Sequence, residues 1–331
     1  MSIFIDTLKG QKTYPTPVWL MRQAGRHLPE YTAIRKKHSN LLEMFLNKET
    51  ICRVTLQPVE RYKVDAAILF SDILMVPYSL GFGLSFKEGG IGPVLVEPKN
   101  ELNQDLNLLK PIFQGVEKIK KETDNRTPLI GFAGGVWTTI YFSIFNKEER
   151  NQINKKLILS KKDKIESLIN EFTNATIKYT IEQINHGIDV FQIFESAAGV
   201  LTDEQFERWC LVPTQKILNA IENKIPVIGF PKNASLESYV KYTHLKNLNA
   251  VSIDEKFKLT NIPQLNQNIV FQGNLNPKTL LENKDKLVNK TEDILLAFRD
   301  YPHIFNLGHG VLPNTPVENV EAMINKIRNF E

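Results

Sequence analysis

Eight short apolar runs, rich in β-branched and aromatic residues, recur along the chain and constrain its fold more than any other feature. They are 17–21 (PVWLM), 66–70 (AAILF), 128–133 (PLIGFA), 189–194 (DVFQIF), 225–229 (IPVIG), 249–253 (NAVSI), 268–272 (NIVFQ) and 303–307 (HIFNL). Most are continuously apolar rather than alternating, the pattern of parallel strands covered by helices. Between them lie segments with apolar residues at helical spacing, among them 43–62, 165–184, 203–221 and 315–330. Thr202 followed by Gln205 reads as a capping box at the start of the third. Pro316 stands at a natural first-turn position of the last. Eight strand–helix units in 331 residues predict one (β/α)8 TIM barrel of α/β class, a single domain over 1–331. An open doubly wound sheet is the alternative.

Bulk properties narrow the class of function. With 42% hydrophobic and 24% charged residues, the composition is that of an ordinary globular protein. The formal charge of +4 is mild, with no block of five or more like charges, so nucleic acid is not an expected partner. No stretch approaches the length needed to span a bilayer, and the first fifteen residues carry no signal-peptide pattern. Cys52 and Cys210 form no close-spaced pair. A cytoplasmic protein is expected. HExxH, Cys-x-x-Cys, His-x-Cys and GxSxG are absent from the sequence, and no metal site is predicted. The stretch 81–92 (GFGLSFKEGGIG) is glycine-rich but lacks the ending of a P-loop, and it reads as a mobile loop.

In a barrel the active site lies at the carboxyl ends of the strands. The residues that follow the runs are Arg22 to Arg26, Ser71 and Asp72, Gly134 and Gly135, Glu195 and Ser196, Pro231 and Lys232, Asp254, Gly273 and Asn274, and Gly308 to Gly310. Arg22 and Arg26 would share a face if helical. Their planar forks suit carboxylates, although such pairs are also common on solvated surfaces. Asp72 leaves a buried run, where an aspartate serves equally as a helix cap or as a site residue. His309 lies between two glycines that permit close approach, which favours a ligand contact over a purely structural role.

The same residues carry a resemblance. PVWLMRQAGR followed by HLPEY resembles the amino-terminal signature of the uroporphyrinogen decarboxylase family, PxWxMRQAGR then YLPEY. The likeness covers nearly the whole chain: VTLQPVERYKVDAAILFSDIL matches a second family block, GFAGGVWT resembles GFAGAPWT, and FQIFESAAG resembles QxFDSWAG. FQGNLNP resembles QGNLDP, and FNLGHGVLPNTP matches the carboxyl-terminal block. The resemblance implies a (β/α)8 barrel, usually a homodimer. It also implies an enzyme that removes the four acetate carboxyls of uroporphyrinogen III to give coproporphyrinogen III without metal or organic cofactor. Residue by residue, it implies that Arg22, Gln23 and Arg26 bind carboxylates, with Ala24 and Gly25 offering backbone contacts. Asp72 receives the pyrrole N–H groups, and Ser196 and His309 touch substrate. Asp72, Arg22 and Arg26 are the catalytic candidates.

Two positions depart from the family pattern. Its active-site tyrosine lies five residues after the tryptophan of the GFAG block, which is Phe142 here, with Tyr141 one residue earlier. Either Tyr141 replaces it or the hydroxyl is absent. The aspartate of NLDP is Asn276, expected to be a turn variation. Three competing readings stay open: a corrinoid-linked methyltransferase, a phosphate-binding barrel enzyme, and a tetrapyrrole carrier without chemistry.

Overall fold

A computed structural model describes residues 2–87, 92–103, 105–123 and 125–330. In chain order its strands are β1 (Ala67–Ile68), β2 (Gly83–Lys87), β3 (Gly92–Val96), β4 (Leu129–Gly134), β5 (Val190–Glu195), β6 (Val227–Pro231), β7 (Ala250–Ser252), β8 (Val270–Leu275) and β9 (His303–Leu307). Seven of them form one sheet in the order β1-β4-β5-β6-β7-β8-β9, parallel throughout. Every residue of β4, β6, β8 and β9 is buried, the environment their unbroken apolar character anticipates.

The sheet curls. Gln272 on β8 donates through Nε2 to Gln192 Oε1 on β5 at 3.3 Å and to Ser252 Oγ on β7 at 3.1 Å. Strands β5 and β8 are separated in the sheet by two others, so their side chains meet only across the inside of a curved surface. Trp19 Nε1 donates to Gln272 Oε1 at 2.9 Å and brings the first apolar run into the same interior.

That first run, 17–21, is not a strand of the sheet. It makes one parallel bridge, Val18 to Phe305, with Phe305 N–H donating to the Pro17 carbonyl at 2.8 Å. On its other side, Asp65 N–H donates to the Val18 carbonyl at 2.9 Å. Proline lacks an N–H, and the next donors are taken by side chains. Val18 N–H donates to Asp65 Oδ2 at 2.7 Å and Met21 N–H to Asn306 Oδ1 at 3.0 Å. The expected eight-stranded closed barrel is thus observed as a curled sheet of seven strands, with residues 17–21 lying between β9 and the chain entering β1.

The helices follow the expected segments with shifted ends, at Lys48–Tyr62, Lys162–Asn185 and Val317–Arg328. Pro316 is the residue before the last of these rather than in its first turn. The capping box of Thr202 and Gln205 is present. The segment after it runs through a wider turn at Glu207–Leu211 before resuming at Val212–Ala220, where Pro213 cannot donate to a regular ladder. The glycine-rich stretch 81–92 is not simply a loop. Gly83–Lys87 pairs antiparallel with Gly92–Val96, and the connection at 88–91 lies outside the described residues. Period-two alternation explains the pairing: Leu84 is buried, Ser85 is exposed, and Phe86 packs edge-on against Phe45 at 5.6 Å.

Candidate active site

The carboxyl ends of the strands converge on a cavity of about 420 Å3. One wall comes from Ile68 to Ile73, at and after β1. A second is formed by Phe132, Phe194, Ser196 and Phe230 at β4 to β6. A third is formed by Arg22, Ala24 and Arg26 together with His309 and Gly310. Phe86 and Gly92 of the hairpin approach from outside the sheet.

Residues 22–26 are a turn rather than a helix, so the two arginines reach the cavity without sharing a helical face. Arg22 adopts a left-handed backbone with φ of 58°, uncommon for a residue with a side chain. Gln23 explains how that turn is held. Its Oε1 accepts from Leu20 N–H at 3.0 Å and its Nε2 donates to the Ala66 carbonyl at 3.1 Å. Gln23 is almost completely buried and is not among the residues lining the cavity; its amide, expected to bind a carboxylate, joins the turn to the chain entering β1. Gly25 is likewise outside the lining, its carbonyl accepting from Leu28 N–H at 2.9 Å. The guanidiniums of Arg22 and Arg26 are exposed and form no ion pair or hydrogen bond among the described residues.

Asp72 is both cap and cavity residue. Its Oδ1 accepts from Leu74 N–H at 2.9 Å, shaping the turn into the helix Met75–Ser79. The other carboxylate oxygen has no hydrogen bond among the described residues, and the residue lines the cavity. Burial raises the carboxyl above the ordinary aspartate range, opposed by the Leu74 N–H and by the charge of Arg22.

Ser196 and His309 line the same cavity. Burial lowers the His309 imidazole to about 4, aided by the positive charges of Lys232 and Arg22, so it is neutral at pH 7. The glycines beside it serve protein neighbours. A Cβ on Gly310 would lie 2.4 Å from Arg22 Cδ, and one on Gly308 2.2 Å from Glu255 N. They make room for the arginine stem and for the chain after β7, rather than for a ligand at the backbone.

Tyr141 is brought in no closer than the core behind the wall. It packs between Trp137 and Phe145, at ring separations of 5.6 and 5.5 Å, and does not line the cavity. Phe142, at the family tyrosine position, lies under the Arg150 guanidinium at 5.0 Å and is also outside the lining. On the helix Val136–Ile144, Trp137 and Tyr141 are one turn apart and share a face turned to the core. The expected substrate contact by Tyr141 would need its hydroxyl to reach past this packing. Asn276 accepts from Lys278 N–H at 3.0 Å and caps the turn Pro277–Leu281, as a turn variation should.

What residue-type reasoning missed is the aromatic lining. Phe70, Phe132, Phe194 and Phe230 all stand at strand ends, and Phe194 meets Phe132 and Phe230 edge-on at 5.5 and 6.2 Å. The signal was present, since three of these runs end on or near a phenylalanine, but searching for polar residues passes over it. The site therefore combines an apolar ring with one incompletely bonded carboxyl and two guanidiniums that are unpaired among the described residues. Such a set can hold an apolar ring body that turns N–H donors towards the carboxyl and carries carboxylates at its edge. Among the described residues no group of three His, Cys, Asp or Glu side chains is placed to hold a metal ion.

Comparison with known proteins agrees in kind. The uroporphyrinogen decarboxylase (URO-D) family model matches residues 1–330. The uroporphyrinogen decarboxylase of Rickettsia bellii (strain RML369-C) is 40% identical over 100% of this chain and 99% of its own. That of Wolbachia sp. subsp. Brugia malayi (strain TRS) is 40% identical over 99% and 96%. Among solved structures, a methyltransferase from Methanosarcina mazei superposes with a TM-score of 0.80 at 17% identity, covering 99% of this chain and 98% of that one. At that identity the likeness concerns the fold alone. On the strength of the full-length family match and these relatives, the chain belongs to the uroporphyrinogen decarboxylase family.

Proposed function

We propose that this protein decarboxylates uroporphyrinogen III in tetrapyrrole biosynthesis, converting its four acetate side chains to methyl groups and releasing carbon dioxide to give coproporphyrinogen III. The observation that carries this reading is the open oxygen of Asp72, set in an aromatic cavity beside the free guanidiniums of Arg22 and Arg26.

Loss of carbon dioxide from an acetate leaves an electron pair on a methylene carbon. A pyrrole protonated at the ring carbon beside nitrogen is an iminium-like cation and accepts that pair itself, so the reaction needs no organic cofactor; protonation of the exocyclic methylene so formed and loss of the added ring proton then give the methyl group and restore the pyrrole, with one proton consumed for each carbon dioxide released. The protein has to stabilise the cation and hold the acetate. Asp72 is suited to the cation, because a carboxylate can take several N–H donors and a puckered macrocycle turns its N–H groups towards one point. Those bonds favour the charged carboxylate and offset the burial that raises its pKa. Arg22 and Arg26 hold the remaining carboxylates. Ser196 and neutral His309 contribute a hydroxyl and an imidazole to the wall, and the phenylalanines exclude water from the ring faces.

In the same reading, residues 1–331 form one domain, and residues 17–21 act as the eighth stave of a (β/α)8 barrel. The contacts of Val18 with Phe305 on one side and Asp65 on the other support that closure. A homodimer in the cytoplasm is proposed from the family likeness, and sedimentation velocity tests the dimer. Among the described residues no helix is long and apolar enough to cross a membrane.

Turnover of uroporphyrinogen III to coproporphyrinogen by the purified protein tests the reaction. Asp72→Asn, with circular dichroism as the folding control, tests the role of the carboxylate. A folded Asp72→Asn variant with near-normal turnover would remove the basis for the mechanism.

A further inference from the structure

We infer that Glu195 is a positioning residue: through Thr138 it clamps the backbone on both sides of Ser196 and so sets where the Ser196 hydroxyl stands on the cavity wall. This rests on the reading of Ser196 as a substrate contact.

Glu195 is the last residue of β5, and it is completely buried, whereas Ser196 beside it lines the cavity. The Glu195 side chain turns the other way, beneath the amino-terminal end of the helix Val136–Ile144. Its Oε2 accepts from Thr138 N–H at 3.0 Å and from Thr138 Oγ1 at 2.7 Å. Room for the carboxyl exists because residue 135 is glycine: a Cβ there would lie 2.1 Å from the carboxyl carbon. A helix amino terminus has unsatisfied N–H donors and favours an acceptor of this kind.

The threonine hydroxyl passes the constraint on. It has one hydrogen, and the acid takes it. A lone pair is then left to accept from Ala197 N–H at 3.1 Å. The Ala197 carbonyl is held as well, accepting from Trp137 Nε1 at 2.9 Å. On the near side of the serine, the Glu195 carbonyl accepts from Lys232 N–H at 3.1 Å, which ties the same point to the end of β6. The backbone before and after Ser196 is therefore gripped by three residues of two elements, Trp137 and Thr138 on the helix and Lys232 at the end of β6, and the Ser196 hydroxyl makes no hydrogen bond among the described residues. Because Oε2 already accepts the Thr138 N–H, it can only accept from the hydroxyl as well, and this dictates the direction of the relay. Without it the Thr138 hydroxyl is free to rotate, and the Ala197 N–H loses its assured acceptor.

A double-mutant cycle between Thr138→Val and Ser196→Ala, read as kcat/KM for uroporphyrinogen III, tests the inference. Valine keeps the shape of threonine and removes only the hydroxyl. Thr138→Val alone should lower kcat/KM by about tenfold, on the order of one well-placed hydrogen bond, and Thr138→Ser should restore it. In the Ser196→Ala background the same change should cost less than about twofold, because the hydroxyl it positions is gone. Equal effects of Thr138→Val in both backgrounds would mean a structural role only and would overturn the inference. An inert Ser196→Ala would overturn the reading of Ser196 itself, and the inference with it. If the valine variant does not fold, Thr138→Ala completes the cycle, with the same outcomes deciding.

Discussion

Two carboxylic acids stand at the carboxyl ends of strands in one sheet, and the protein uses them in opposite ways. Asp72, after β1, spends one oxygen on the Leu74 N–H and leaves the other to the cavity. Glu195, at the end of β5, is sealed from solvent, with one oxygen taken twice by Thr138. Burial raises the pKa of both, in Glu195 to about 7. What separates them is not acidity but the source of their hydrogen bonds. The free oxygen of Asp72 belongs to a residue of the cavity wall, whereas Glu195 takes two donors at Oε2 from a helix end and its Oε1 is buried without a hydrogen bond among the described residues. Placement after a strand therefore marks a candidate, and the direction of the side chain decides between chemistry and scaffold.

The sharpest way to break this contrast is to neutralise each acid in turn. Asp72→Asn should lower kcat by roughly 10²–10³-fold while leaving the unfolding midpoint nearly unchanged, the loss typical of one preorganised electrostatic partner. Glu195→Gln keeps an oxygen that can accept from Thr138 and should retain most of the turnover. Equal damage from the two, measured as coproporphyrinogen formed per second by folded protein, would erase the distinction.

A second test uses pH. Because folding raises the pKa of Glu195 from 4.5 to about 7, its contribution to stability is fully present below pH 4.5 and is lost as pH rises towards 7. At about 1.4 kcal/mol per pKa unit the loss amounts to roughly 3 kcal/mol. The buried imidazoles of His27, His303 and His309, lowered to about 4, act in the other sense, and their contribution disappears as pH falls from 6.5. Urea unfolding of wild type and Glu195→Gln from pH 4 to 8 cancels the histidines and leaves the acid. Parallel curves would contradict its burial as a titrating group.

Gln23 is the neutral counterpart of Glu195 on the Asp72 side of the cavity. Gln23→Leu strands the Leu20 N–H and the Ala66 carbonyl, and should cost about 2 kcal/mol of stability as lost buried hydrogen bonds. A thermal midpoint equal to that of wild type would show that the arginine turn holds itself. The smallest effect is expected at Phe142→Tyr. Since this position is outside the cavity lining, restoring the family hydroxyl should change kcat/KM by less than about twofold, within the usual range for a change remote from the chemistry. A large gain would show that the helix capped by Glu195 also reaches the substrate.

Much of this was legible in the sequence. Unbroken apolar runs separated by helical spacing determined a parallel α/β sheet, because burial on both faces leaves no room for alternation. The same order placed Arg22, Arg26, Asp72, Ser196 and His309 after runs, and they meet at one cavity. The first run misled because Pro17 has no N–H and the N–H groups of Val18, Leu20 and Met21 go to the side chains of Asp65, Gln23 and Asn306, which periodicity does not reveal. Tyr141 and Phe142 face different neighbours because a shift of one residue on a helix turns a side chain by about 100°.

The sequence by itself determined which elements form and which chemical groups stand at their ends, since both follow from local spacing and side-chain type. Only the tertiary structure decided which of those groups face the cavity and which hold the wall. Thr138 reaches Glu195 across 57 residues, and Met21 reaches Asn306 across 285. A hydrogen bond depends on distance and direction in space, and pairs so far apart acquire both only once the sheet has curled and the helices have packed onto it.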